Sequence, residues 1–242
     1  MNTCPIDLAG ARLQALGSGA LWWPGERTLT VSDLHLGKSE RMAQRSGSLL
    51  PPYETLETLT RLASDLDTTR PARVICLGDS FDDRLAEIAL PDPFRMTLAQ
   101  MMAGRDWIWI EGNHDPGPTE LGGSHLAQFQ LGPLVFRHIA ETAASGEVSG
   151  HYHPKFTLPV RGRSITRAAF LHDCHRIIMP AYGTYTGGLR ASDPCFEPLL
   201  DENASAVMTG LNPVAVPRFR GLDRSRNSRE TRPFRHQRGI SD

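Results

Sequence analysis

Cysteine is scarce in this chain of 242 residues: Cys4, Cys76, Cys174 and Cys195 stand far apart, with no C-x-x-C pair. That spacing argues against a zinc ribbon and offers no disulfide framework. Cys76, inside Val74-Ile75-Cys76-Leu77, reads as a small buried thiol. Long hydrophobic runs are missing too. None approaches the roughly 18 residues of a membrane-spanning helix, and Met1–Gly10 has neither the basic stretch nor the apolar core of an export signal. Reduced thiols and these absences together predict a cytoplasmic protein with no membrane association. No internal repeat or domain break is visible before Pro213–Pro217.

Net charge is small, −1 overall, but unevenly spread. From Arg218 onward eight arginines face Asp223, Glu230 and Asp242, a net of +5, while residues 1–217 carry 18 basic and 24 acidic residues, or −6. The sequence therefore predicts one folded domain over residues 1–212 and a basic, flexible arm over 213–242. Such an arm either binds nucleic-acid phosphates by counterion release, with Phe219 and Phe234 available for stacking, or serves only as a solubilising tail. The length suits one sizeable α/β core, and 40% apolar with 22% charged residues is ordinary for a soluble globule.

What is abundant is a series of short polar motifs at the ends of apolar runs. Asp33 and His35 stand two apart in the strand-like Thr28-Leu29-Thr30-Val31-Ser32-Asp33-Leu34-His35, so strand alternation would project both to one side. Gly78-Asp79, Gly112-Asn113-His114-Asp115 and Gly150-His151-Tyr152-His153 follow. Their glycines would let the backbone turn sharply where each strand ends. Together these pieces supply the oxygen and imidazole ligands that two adjacent divalent cations need.

In order and type these motifs resemble those of the calcineurin-like metallophosphoesterases: D-x-H, G-D-x-x-D, G-N-H-D or G-N-H-E, a lone His, and G-H-x-H. The second motif is here Gly78-Asp79-Ser80-Phe81-Asp82, and the lone His is His138 in Leu134-Val135-Phe136-Arg137-His138. The resemblance implies an α/β fold, a four-layer αββα sandwich of two mixed sheets. It also implies one metal on Asp33, His35, Asp79 and His153, and a second on Asp79, Asn113, His138 and His151. Asp79 would bridge cations roughly 3.5–4 Å apart, which acidify the attacking water and offset charge on the phosphoryl oxygens. His114 would steady the transition state or protonate the leaving oxygen, with Asp115 orienting it and Asp82 supporting the site without touching metal. The donor set suits Mn²⁺ and also Fe²⁺, Co²⁺, Zn²⁺ or Ni²⁺. His125, His172, His175 and His236 match no motif position.

Three segments narrow the resemblance: Ser32-Asp33-Leu34-His35-Leu36-Gly37-Lys38, Leu77-Gly78-Asp79-Ser80-Phe81 and Met179-Pro180-Ala181-Tyr182-Gly183-Thr184-Tyr185-Thr186-Gly187-Gly188-Leu189. They are similar to the ligase-associated DNA damage response endonucleases, from about residue 10 to 195. That implies manganese-dependent cleavage of DNA phosphodiester bonds in repair, beside a helicase and an ATP-dependent DNA ligase. Many members place a His after the Phe where this chain has Asp82, which leaves the choice between monoester and diester open. The Tyr-Gly-Thr stretch is assigned no chemistry. Lys38, Arg41 and Arg45, in the basic loop after His35, are candidate nucleic-acid contacts.

The wider pattern agrees with such a fold. Short strands are predicted within 12–32, a helix over Tyr53–Leu66 with apolar Leu56, Leu59, Leu62, Ala63 and Leu66, and a buried strand Arg73–Leu77. A second helix opens at Asp92-Pro93, the strand Trp107–Ile110 follows, and Leu134–Arg137, Glu147–Ser149, Ala168–Leu171 and Arg176–Met179 read as later strands. Two other functions fit the same motifs: a phosphoesterase or pyrophosphatase acting on a small nucleotide or metabolite, and a non-catalytic interaction scaffold. Retention of every ligand and of His114 argues against the scaffold.

Overall fold

The computed structural model describes residues 2–38, 53–82, 84–115, 117 and 121–218. Arg41, Arg45 and the arm from 219 onward lie outside the described residues. The first half builds one sheet in chain order: β1 (Thr3–Leu8), β2 (Ala11–Leu16), β3 (Leu21–Trp23), β4 (Thr28–Val31), β5 (Arg73–Leu77), β6 (Asp106–Ile110) and β7 (Ser124–Leu126). Pairs up to β3–β4 are antiparallel, and those from β4–β5 to β6–β7 are parallel. The parallel strands are joined by crossovers carrying helices α1 (Glu54–Thr69), α2 (Arg84–Ile88) and α3 (Asp92–Met102).

After their first residues, Arg73 and Asp106, β5 and β6 are apolar without interruption because both of their faces are buried. Val74, Cys76, Trp107 and Trp109 pack beneath Leu59, Leu62 and Leu66 of α1 and Leu98 and Met101 of α3. Ile75, Leu77, Ile108 and Ile110 turn the other way, into the core between the sheets. Leu56, expected on the buried face of α1, is 51% exposed, and Thr55 and Thr58 take that face instead.

The second sheet contains β8 (Gln128–Leu131), β9 (Leu134–Arg137), β10 (Glu147–Ser149), β11 (Lys155–Val160), β12 (Arg163–His172), β13 (Arg176–Ile178), β14 (Ser205–Met208) and β15 (Val214–Pro217). Its order is β15-β14-β12-β13-β10-β9-β8, with β11 pairing only β12. Phe136, Val148, Phe170, Ile177 and Val207 meet the first sheet across the inner core. On the outer face Leu171, Ile178 and Met208 pack under Phe196, Leu199 and Leu200, carried by the 3-10 turn Pro194–Phe196 and the segment after it. This is the expected layered α/β architecture with two mixed sheets. Residues 214–217, placed by the sequence at the start of the arm, form its edge strand, and the Arg218 guanidinium donates to the Ala191 carbonyl at 2.8 Å.

Candidate metal centre

Parallel pairing decides where the motif residues gather. β4, β5 and β6 run side by side and finish together at Val31, Leu77 and Ile110. β9 and β10 do the same in the second sheet. Asp33, His35, Asp79, Asn113, His138, His151 and His153 all follow those carboxyl ends, where open α/β sheets place their sites.

The local backbone differs from the expected strand. β4 stops at Val31, and strand alternation does not bring Asp33 and His35 together. Both adopt left-handed backbone, with φ of 52° and 45°. So do Asp79, His151 and His153, with φ of 45°, 70° and 47°. Left-handed non-glycine residues carry strain and persist where surrounding bonds over-determine them. Here Asp33 N–H donates to the Gly78 carbonyl at 3.3 Å, His35 N–H to Asp79 at 2.9 Å and Leu36 N–H to Ser80 at 3.0 Å, locking the two ligand loops side by side. Gly112 and Gly150 lack a positive φ and serve close approach instead of a sharp turn. A side-chain carbon at Gly112 would overlap Asp79, and one at Gly150 would overlap the Ser32 hydroxyl and the Asp33 carboxylate.

The side chains form two adjoining groups. In Asp33, His35 and His153, and again in Asp79, His138 and His151, donor atoms lie within 4.8 Å of one another. Asp33 Oδ1 is 3.0 Å from His153 Nε2, and both ring nitrogens of His35 are buried without a hydrogen-bond partner among the described residues. His138 donates Nδ1–H to the Leu77 carbonyl at 2.8 Å, so its neutral form points a lone pair from Nε2. That nitrogen faces Asn113 Oδ1 at 2.9 Å, His151 Nδ1 at 3.2 Å and Asp79 Oδ2 at 3.4 Å. So many acceptors crowd together with too few protons between them, which is the arrangement a divalent cation satisfies. The residues present therefore fit the metals.

Electrostatics point the same way. Burial pushes Asp79 upward, but the His138 ring and the His114 N–H outweigh it and hold its pKa at about 2. Burial likewise opposes ionisation of Asp33, yet His153, His138 and the Ser32 hydroxyl keep it below the usual carboxylate range. His138 is raised: burial lowers it, and Asp79 and Asp33 more than compensate. His151 is lowered by burial and by the charge of His138.

Residues 26–180 match the family of calcineurin-like phosphoesterases. The chain belongs to that family. Among solved structures, this phosphoesterase is similar to the Pseudomonas putida nuclease MPE, with a TM-score of 0.67 and 28% identity over 88% of this chain and 100% of that one. No curated protein matches it. Family and donor clusters together make the chain a metal-dependent hydrolase that uses divalent ions.

Around the ligands the phosphoesterase has a supporting layer. His114 donates Nδ1–H to the Asp82 carbonyl at 2.9 Å, leaving Nε2 4.0 Å from Asp79 Oδ2 on a side chain 41% exposed. Asp115, expected to orient this imidazole, does not bond it; the Asp82 backbone carbonyl does. The Asp115 carboxylate accepts the Ser80 and Phe81 N–H groups at 2.7 and 3.2 Å instead, pinning the loop behind Asp79. Burial raises Asp115 to about 6 against those N–H groups, and the charge of Asp79 adds to the rise. Asp82 Oδ1 lies 3.5 Å from His35 Nδ1.

The Tyr-Gly-Thr stretch has a positioning role that its sequence did not reveal. Tyr182 and Gly183 N–H groups donate to the Ser32 and Asp33 carbonyls at 2.7 and 3.0 Å, strapping the first ligand loop. Arg61 donates to the Tyr182 carbonyl and covers its ring at 4.8 Å, while the Tyr182 hydroxyl donates to Asp65 at 2.9 Å. Lys38 reaches the same stretch, donating to the Tyr185 carbonyl at 3.2 Å. A cavity of about 400 Å³ opens against Asn113 and His138, lined also by Glu111, Gln128 and Arg137.

Proposed function

We propose that this phosphoesterase cleaves phosphodiester bonds in DNA as a repair endonuclease, using two divalent ions with Mn²⁺ foremost. The observation that carries the reading is the convergence of Asp33, His35 and His153 with Asp79, Asn113, His138 and His151 at one rim. Similarity to a nuclease over 88% of the chain supports DNA as the substrate. The first group would hold one ion, the second group with Asn113 the other, and Asp79 both.

When bound, the two ions acidify water and neutralise the charge that grows on the phosphoryl oxygens. Asp79 keeps its carboxylate ionised and aimed by the His114 N–H at 2.9 Å. His114, fixed through Asp82, offers Nε2–H to the phosphoryl or leaving oxygen in its doubly protonated, imidazolium form. Asp115 holds the 79–81 loop and so acts through Asp79. Lys38, with Arg41 and Arg45, would flank the bound strand. A helicase and an ATP-dependent DNA ligase are the proposed partners, tested by co-purification at endogenous levels.

The deciding experiment is a metal-by-substrate matrix: plasmid nicking, single-stranded DNA, a generic diester and a generic monoester, each with Mn²⁺, Fe²⁺, Co²⁺, Zn²⁺ and Ni²⁺. DNA and diester cleavage, strongest with Mn²⁺, is expected. Hydrolysis confined to monoesters or small nucleotides would replace DNA with a metabolite, and metal binding without hydrolysis would leave the scaffold.

A further inference from the structure

From Lys155 to His172 the chain carries Lys155, Arg161, Arg163 and Arg167 and no acidic residue. In the fold this is a two-stranded ribbon. Val160 pairs with Arg163, Leu158 with Ile165 and Phe156 with Arg167. Only residues 169–172 of β12 pair with β14, so the outer part of the strand has β11 as its sole neighbour. Every residue from Pro159 to Arg167 is exposed, Ile165 to 42%.

The ribbon starts at the metal centre. β11 begins two residues after His153, and its root is fastened where Lys155 N–H donates to Leu189 and Ala191 N–H to Lys155, both at 2.8 Å. At about 3.3 Å per residue, the five steps from Lys155 to Val160 carry the tip about 17 Å outward. The tip turns through Arg161 and Gly162 with φ of 47° and 80°, a two-residue hairpin geometry that favours Asn or Gly first. An arginine sits there despite the backbone strain. Thr157 and Thr166 hydroxyls bond across one face at 2.8 Å, so Arg163, Ile165 and Arg167 share the other. Arg167 lies along Gly210 at the root.

We infer that this ribbon is a DNA-binding arm whose arginines grip backbone phosphates and hold the substrate beside the metal centre; the inference rests on the DNA reading above. Charge complementarity selects the partner, because guanidinium forks match phosphate oxygens and nothing acidic on the ribbon opposes them. A two-stranded ribbon is also the right width for a major groove.

The test uses full-length protein loaded with Mn²⁺ and the combined substitution Arg161→Asn, Arg163→Gln and Arg167→Gln, with asparagine chosen because it suits the turn. Anisotropy titrations on duplex and single-stranded oligonucleotides run from about 50 to 200 mM salt. Binding is expected to weaken about tenfold at the low end, with the log–log salt slope on duplex falling by about 0.9 for each phosphate that the variant no longer neutralises. A small generic diester should be hydrolysed as before, and the three-lysine counterpart should recover most of the slope. Unchanged affinity and slope would overturn the inference and leave DNA cleavage standing, whereas failure of the parent protein to cut DNA with any ion would overturn the reading beneath it. Concurrent loss of generic diester hydrolysis, no recovery with lysine, or a dimer that the substitutions split would equally overturn the arm.

Discussion

Five of the seven candidate ligands sit in left-handed backbone, and each such residue costs on the order of 1–3 kcal/mol. The folded chain sustains that cost through the paired loops at Asp33–Leu36 and Gly78–Ser80, whose bonds leave the side chains little freedom. Asp79 is the ligand proposed to serve both metals, so Asp79→Asn, which keeps the shape and removes the charge, is expected to lose most bound metal and all phosphoesterase activity. Elemental analysis after gel filtration checks the first, and generic diester turnover the second. His114→Ala is expected to behave differently: kcat lower by about 10²–10⁴, with metal content unchanged. Metal loss in that variant would make His114 a ligand. At this scale the sequence was informative wherever chemistry demands a particular side chain, which is why the seven candidate ligands stood out. It was silent on the left-handed conformation, because nothing in D-x-H says that the strand has already ended at Val31.

Among the elements, the strap from Met179 to Gly188 governs how firmly the first ligand loop is held. Tyr182 is buried, and its hydroxyl is a donor to Asp65, a carboxyl raised by burial against bonds from Ser18 and Tyr182. Tyr182→Phe leaves that buried oxygen short of a donor and is expected to destabilise the fold by about 1–3 kcal/mol, read by urea unfolding. Metal affinity should fall with it if the strap positions Asp33. Which elements were legible follows from burial. β5, β6 and β9 are apolar enough to read directly, and β5, β9 and the short buried β10 fall at the predicted boundaries. β1, with Pro5, and β11, with Pro159, are ribbon or edge strands with few buried residues, and β7 is only three residues long. Their sequences give weak periodicity, and pairing in the fold defines them.

On the scale of the whole molecule, the metal centre joins two sheets. Asp33, His35, Asp79 and Asn113 come from the first, and His138, His151 and His153 from the second. No single motif in the sequence reveals that junction, since it depends on how the sheets face one another. The basic chain beyond Arg218 is a separate proposal: if it contacts DNA, truncation after Arg218 is expected to weaken binding chiefly at low salt, and an unchanged salt slope would assign the arm no role in binding. The ions themselves should act as cross-links. A ligand present at about 100 times its Kd stabilises the folded state by about 2.7 kcal/mol, so two independent sites contribute about 5 kcal/mol. For a domain of this size, each kcal/mol moves Tm by about 2–4 °C, and Mn²⁺ loading should therefore raise Tm by roughly 10–20 °C in scanning calorimetry. EDTA should reverse the rise. Because ligands from both sheets converge, the whole transition should move as one; a Tm indifferent to metal would mean that the ions do not tie the two sheets together.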